Sequence, residues 1–157
     1  MDEREVCSLV DGWHARARRE DDHVTSFVFL WFCFNAWLAC ESGEDIDRAM
    51  IDWLISRQAQ TSQLRAAYDS AMRSEVFVGY VRALADQSPI VSNGRRPREV
   101  RIYSLEDFAG IVNGVYQVRC NLFHGSKRAG DSRDETLIRT CARILEQWVE
   151  HLIAGWQ

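Results

Sequence analysis

Residues 24–40, VTSFVFLWFCFNAWLAC, form the most apolar stretch of the chain and contain no charged side chain. A helix that is apolar on every side is typical of the centre of a bundle or of a surface shared with a second subunit. A membrane span is the alternative, but the stretch falls short of the roughly 20 residues that a span needs and has no basic flank on its C-terminal side. We therefore expect a core helix outside any membrane, in which Asn35 is a buried polar group that needs a partner.

Amphipathic helices are predicted on both sides of this core segment, because apolar residues recur there at helical spacing. These predicted helices cover residues 3–20, 45–57, 61–86, 104–124 and 131–154. Both prolines and the pair Asn93-Gly94 assign residues 87–103 to one long loop. The pattern contains no convincing strand, so the prediction is an all-α, up-and-down bundle of about five to six helices, in a single domain over residues 1–157.

Side chains that can cap helices stand at two of the predicted helix starts. Asp22 or Thr25 can cap the core helix. Ser104 can cap the helix that follows the loop, with Asp107 closing a capping box in place of glutamate. Gly125 can end this later helix in a left-handed turn.

The composition is that of an ordinary globular protein, with 46% hydrophobic and 27% charged residues. The five cysteines are odd in number and form no C-x-x-C pair, so we expect reduced thiols and a cytoplasmic location rather than a disulfide framework. The charged amino terminus shows no signal peptide. The net charge of −4 does not favour a non-specific nucleic-acid binder, whose affinity comes from neutralising phosphates.

The candidate site lies at the C-terminal end of the helix predicted over residues 104–124. Arg119, Asn121 and His124 are the polar residues that close this otherwise apolar helix. In an ideal helix Arg119 and His124 are about 7.5 Å apart along the axis and roughly 140° apart around it, so their long side chains can converge on one phosphate. The spacing alone is weak evidence, because Arg18 and His23 share it within a charged linker.

On the residues alone, a structural interpretation of this cluster is favoured, in which His124 caps carbonyls and Arg119 pairs with an acid such as Asp134. Cys120 is then inert packing rather than a nucleophile. The four histidines are scattered along the chain, and no glycine-rich phosphate loop is present. We therefore expect neither a metal nor another cofactor. For the arginines of the long loop, the favoured interpretation is a solvated basic surface, and the alternative is an arm that contacts phosphates.

Residues 116–127, Tyr-Gln-Val-Arg-Cys-Asn-Leu-Phe-His-Gly-Ser-Lys, resemble the signature of HEPN domains, which are helical bundles with an Arg-x4–6-His motif. Residues 31–37 resemble the aromatic second helix of HEPN-like bacterial proteins, and residues 134–145 resemble their closing helix. Many HEPN proteins are metal-independent ribonucleases that act as toxins or in phage defence. The residue after Arg119 is Cys120, where many members have a polar residue, often asparagine.

The resemblance implies a metal-independent endoribonuclease in which the 2′-hydroxyl of RNA attacks the adjacent phosphorus. Arg119 would stabilise the phosphate, His124 would transfer a proton, and Asn121 would orient the ring or the substrate. The secondary candidates for RNA contact are Lys127, Tyr116, Arg95, Arg96 and Arg98. HEPN domains typically dimerise, which implies a homodimer whose two motifs share a cleft.

Two other functions remain open from the sequence. One is a non-catalytic HEPN-like module that binds RNA, a nucleotide or a protein through the same cleft. The other is a helical dimer from a toxin–antitoxin or defence operon, whose partner protein supplies the chemistry. The intact pair Arg119 and His124 favours the enzyme, whereas the acidic net charge and Cys120 favour the alternatives.

Overall fold

The computed structural model describes residues 1–92, 96–124 and 132–156. Over these residues the chain forms seven α-helices, one short 3-10 helix and two short strands, which confirms the predicted all-α fold. The elements in chain order are α1 (Glu3–Ala17), α2 (His23–Ser42), α3 (Asp47–Ile55), the 3-10 helix (Arg57–Ala59), α4 (Gln63–Ala71), α5 (Glu75–Asp86), β1 (Ile90–Val91), β2 (Glu99–Val100), α6 (Phe108–Phe123) and α7 (Ser132–Ala154).

Helix α2 is the central element of the core, as predicted from residues 24–40. Its buried side chains pack against α1 on one side and α7 on another, where the rings of Phe34 and Trp148 lie edge to face at 4.8 Å. The helix is long and apolar enough to cross a membrane, and 44% of its most apolar 18-residue window is buried inside the protein. Burial of large aromatic side chains on this helix supplies the main apolar contact of the bundle.

The ends of α2 follow local rules. The carboxylate of Asp22 accepts hydrogen bonds from the backbone N–H of Val24 and Thr25, at 3.4 and 3.0 Å, so Asp22 is the cap. Gly43 ends the helix with φ of 71°, a left-handed conformation that favours glycine because it has no Cβ.

Two details of the predicted helices are wrong. The single helix predicted over residues 61–86 is divided at residues 72–74, where the backbone N–H of Ser74 turns back to Ala71 O at 2.9 Å and α5 starts. The predicted cap at Ser104 is also displaced. Asp107 is the cap of α6, because its Oδ1 accepts from Gly110 N at 2.9 Å and its Oδ2 accepts from Tyr103 N at 3.1 Å.

The predicted loop 87–103 contains an antiparallel hairpin, so the prediction of no strand is wrong. Ile90 pairs with Val100 and Val91 with Glu99. Ile90 is 1% exposed, and its Cδ1 lies 3.1 Å from the position that a Cβ on Gly114 would take. Burial of this one side chain against α6 stabilises a strand pair that is too short to be recognised from local sequence.

Candidate functional site

Arg119 is held by an acid from another helix. Its Nη2 lies 2.8 Å from Oδ2 of Asp47, the first residue of α3, and the two side chains are 22% and 27% exposed. The ion pair expected for Arg119 therefore exists, but its acid is Asp47 and not Asp134. Packing of α3 against α6 brings the two residues together.

The same carboxylate binds the polar residue of the core helix. Asn35 Nδ2 donates to Asp47 Oδ1 at 3.0 Å, which supplies the partner that Asn35 was predicted to need. Each oxygen of Asp47 therefore accepts from a different helix, α2 or α6. This arrangement restrains both the position and the rotation of the carboxylate, and through it the guanidinium of Arg119.

Aromatic rings surround the rest of the Arg119 head group. Its Cζ lies 4.5 Å from the ring centroid of Phe123 and 5.7 Å from that of Trp31. Within the part of the chain that the structure describes, Nε of Arg119 is buried and has no hydrogen-bond partner. The guanidinium is thus fixed by one ion pair and two cation–π contacts, and its buried Nε–H has no acceptor among the described residues.

His124 is the C-cap of α6, and its backbone N–H donates to Cys120 O at 3.1 Å. This is an ordinary backbone bond of the last helical turn, and the predicted capping of carbonyls by the His124 side chain is not found among the described residues. The His124 side chain is exposed and makes no hydrogen bond or ion pair with any described residue. Arg119 and His124 therefore lie at the same end of α6, but no hydrogen bond joins their side chains. Gly125 lies outside the described residues.

Asn121 is 5% exposed, and its amide is engaged inside the protein. Its Oδ1 accepts from Gln117 Nε2 and its Nδ2 donates to Val91 O, both at 2.9 Å. Asn121 therefore ties the end of α6 to the hairpin through these hydrogen bonds, neither of which involves Arg119 or His124.

Tyr116 packs beside Arg119 on the inner side of the site. Its ring centroid lies 6.1 Å from that of Trp31 and 5.2 Å from Cζ of Arg48. Burial raises the pKa of Tyr116 to about 12, and a hydrogen bond with Cys120 adds to the shift, so the phenol stays protonated at neutral pH. The sequence analysis did not identify Arg48 as a neighbour of the site, because its contact with Tyr116 depends on how α3 packs against α6.

Only some of the basic residues proposed to contact RNA lie within the described part of the chain. Arg96 and Arg98 are exposed, and the backbone of Arg98 closes the hairpin through two hydrogen bonds with Ser92 at 2.8 Å. Arg101 pairs with Glu99 at 3.0 Å. Arg95 and Lys127 lie outside the described residues.

Across residues 1–92, 96–124 and 132–156, no group of three or more histidine, cysteine or acidic side chains is arranged to hold a metal ion. Cys120 is a half-buried free thiol on α6. Asp47 and Asn35 are the site residues whose connection the sequence did not reveal. Asp47 could have been noticed as an acid in the first turn of a helix, which is a common position for acidic residues and therefore a weak signal.

Comparison of the chain with models of protein families, with curated proteins and with solved structures finds no match. The resemblance to HEPN domains therefore rests on residues 116–127 and on the softer likeness of the second and closing helices.

Proposed function

We propose that the chain is a metal-independent endoribonuclease of HEPN type, with Arg119 and His124 as the groups that act on RNA. The observation that carries the proposal is the position of Arg119, fixed by Asp47 at 2.8 Å on the same helix end that exposes His124. A cation that is oriented before substrate arrives stabilises developing charge without reorganising during the reaction.

In the proposed reaction the 2′-hydroxyl of a ribose attacks the adjacent phosphorus and the bond to the 5′-oxygen breaks. His124 accepts the proton of the 2′-hydroxyl or donates one to the leaving 5′-oxygen. Arg119 binds the non-bridging phosphate oxygens as negative charge accumulates on them. The products are a 2′,3′-cyclic phosphate and a 5′-hydroxyl, and the atoms balance without a metal or any other cofactor.

Asp47 has two opposing effects in this proposal. Its carboxylate orients the guanidinium, and it also neutralises part of the charge that a phosphate would otherwise meet. The second cation needed to favour an anionic substrate would come from outside the pair, with Lys127 and the hairpin arginines Arg96 and Arg98 as candidates. Asn121 serves the site by holding the hairpin against α6.

One chain offers one motif histidine, so the second proton-transfer group in the proposal is water or His124 of a second copy. The second possibility requires the homodimer with a shared cleft that the resemblance implies. In a cytoplasmic toxin or phage-defence protein, an antitoxin or operon partner would control this cleft.

The test is cleavage of tRNA, mRNA and rRNA by purified protein in the presence of a chelator. We expect 2′,3′-cyclic phosphate ends, and about 10²–10⁴-fold slower cleavage after His124→Ala or Arg119→Ala. His23→Ala is the matched control, because Arg18 and His23 have the same spacing outside the site. Cleavage that persists in both site variants would remove these residues from the reaction.

The second candidate function is a non-catalytic module that binds RNA, a nucleotide or a protein. Partial neutralisation of Arg119 by Asp47 and the net charge of −4 favour it. RNA binding that depends on Arg119, measured by fluorescence anisotropy without any cleavage, would support this module over the enzyme.

A further inference from the structure

A cavity of about 990 Å³ opens between the start of α1, helix α4 and the end of α7. None of the described residues around Arg119 lines it, so it is separate from the candidate site at the end of α6. A cavity of a few hundred to about 1,000 Å³ with a few convergent polar groups is the usual form of a small-molecule site. We call this space the α4–α7 cavity.

A nucleophile and a base lie together in the wall of the α4–α7 cavity. Oγ of Ser70 on α4 lies 3.0 Å from Nδ1 of His151 on α7, and both side chains are half-buried. A helix serine often donates to a carbonyl of the preceding turn, whereas the Ser70 hydroxyl bonds to this ring. When Nε2 carries the ring proton, Nδ1 accepts from the hydroxyl and the lone pairs of Oγ stay free. This is the arrangement of an activated serine.

The position of His151 favours the charge that a proton transfer from Ser70 would create. His151 lies in the last turn of α7, where the negative end of the helix dipole stabilises a cation. Among the residues that the structure describes, no carboxylate forms an ion pair with the ring. The helix end therefore stabilises the imidazolium in place of the acid of a catalytic triad.

The rim of the cavity carries charges of both signs. Arg4 and Glu3, at the start of α1, line the cavity and are exposed, and neither forms an ion pair within the described part of the chain. The guanidinium of Arg4 can donate hydrogen bonds to an oxygen on which negative charge develops. Because Glu3 stands beside it, the rim suits a neutral substrate better than an anionic one.

The rest of the wall is apolar and has room for a short chain. Leu152 is 2% exposed, and the ring centroid of Trp156 lies 4.8 Å from that of Trp37, which fixes the indole at the end of α7. Ala66 lies four residues before Ser70 and therefore on the same face of α4, so only a methyl group occupies the wall beside the hydroxyl. These surfaces fit an apolar acyl group placed next to Oγ.

We propose that the α4–α7 cavity binds small neutral carboxylic esters and that Ser70 and His151 hydrolyse them. Oγ of Ser70 bonds to the carbonyl carbon while its proton passes to Nδ1 of His151, and Arg4 donates to the carbonyl oxygen. The imidazolium gives this proton to the leaving oxygen as the ester C–O bond breaks, so an alcohol departs and an acyl-serine remains. Water then attacks the acyl carbon and loses a proton to the same nitrogen. The carboxylic acid departs, and Ser70 regains its proton.

The first test is covalent labelling of the full chain by a biotin-linked fluorophosphonate, with the labelled residue located by mass spectrometry. An activated serine displaces fluoride, so we expect one label, on Ser70, and none in Ser70→Ala. His151→Gln should label about 100-fold or more slowly, because glutamine can hydrogen-bond Ser70 but cannot take its proton. Ser74→Ala is the matched control, because Ser74 is also half-buried but its side chain makes no cap hydrogen bond. This variant should label like the wild type.

Hydrolysis of p-nitrophenyl butyrate measures the complete reaction. We expect Ser70→Ala and His151→Gln to be inactive while remaining folded by circular dichroism. Arg4→Gln changes an exposed side chain and keeps the test independent of folding, and it should slow turnover about tenfold. Ser70→Ala should cleave RNA like the wild type, so the ester reaction and the proposed ribonuclease function stand or fall separately.

Three results would overturn the proposal. One is a wild type in which no serine, or a serine other than Ser70, takes the label. Another is labelling of Ser70 that is equally fast in His151→Gln, which would mean that the hydrogen bond between the two side chains is structural. The third is labelling that occurs only after unfolding in urea, because the reaction requires the folded cavity.

Discussion

The carboxylate of Asp47, at the start of α3, lies 2.8 Å from the guanidinium of Arg119, near the end of α6. Both side chains of this pair are less than a third exposed. The other carboxylate oxygen of Asp47 accepts a hydrogen bond from Asn35 of α2. One acidic side chain therefore connects three helices at the place where the sequence motif lies.

The contribution of the Asp47 contacts to stability can be measured as a change in the free energy of unfolding. We expect Asp47→Asn to lower it by about 1–2 kcal/mol in urea unfolding, because the substitution removes the charge that pairs with a partly buried guanidinium. A double-mutant cycle with Arg119→Gln should show coupling of the same sign. In contrast, Asp52→Asn should cost less than about 0.5 kcal/mol, since Asp52 and Arg48 form an exposed pair. Equal effects at both acids would contradict the structural role of Asp47.

Asn121 makes a second connection, between α6 and the hairpin. Asn121→Leu removes the hydrogen bonds to Val91 O and Gln117 Nε2, so we expect a loss of about 1–3 kcal/mol in the free energy of unfolding. Amide hydrogen exchange of the hairpin should accelerate. The matched control is Asn113→Leu on the same helix, where the lost partner is the exposed Arg48 and the expected cost is below about 0.5 kcal/mol. An unchanged hairpin in Asn121→Leu would refute this role.

We expect the free energy of unfolding to depend on pH because of His14. Burial lowers its pKa below the ordinary 6.5, and Glu150, with Oε1 3.7 Å from His14 Nε2, offsets only part of the shift. Well above pH 6.5 the ring is neutral in both the folded and the unfolded state and contributes nothing to the pH dependence. As pH falls below 6.5 the unfolded chain binds a proton that the folded chain excludes, so stability is lost over this range. Thermal unfolding of His14→Gln should show a smaller loss between pH 7 and 5 than the wild type, and parallel curves would contradict the prediction.

Two helix glycines should respond to alanine in opposite directions. A Cβ on Gly114 would lie 3.1 Å from Ile90 Cδ1 and 3.2 Å from Ile102 Cδ1, so Gly114→Ala should destabilise the fold by about 1–3 kcal/mol through overpacking. Gly79 has open space at the same position, and Gly79→Ala should stabilise by about 0.5–1 kcal/mol through helix propensity. Chemical denaturation of the two variants gives the comparison, and stabilisation by Gly114→Ala would contradict the overpacking and mean that the terminal methyl groups of Ile90 and Ile102 move aside.

Only part of the candidate site could be predicted from the sequence. The reason why a residue was or was not identified differs from one residue to the next. Arg119 and His124 were recognised because they close an apolar helix and resemble a known motif. Asp47 was not, because any acid in the chain is a possible partner for an arginine until the helices are packed. Asn121 was expected to orient substrate or ring, whereas its amide binds the hairpin, a strand pair that the local sequence did not indicate.

The sequence by itself determined the all-α fold and the central position of residues 24–40, and it limited the cap of α2 to Asp22 or Thr25, of which Asp22 is the cap. These features depend on local composition, periodicity and capping, which act between residues close in the chain. Tertiary structure alone decided the break at residues 72–74, the hairpin under Gly114, and the choice of Asp47 as the acid that binds Arg119. Those outcomes depend on burial and contacts between distant segments, where small differences in packing outweigh local propensity.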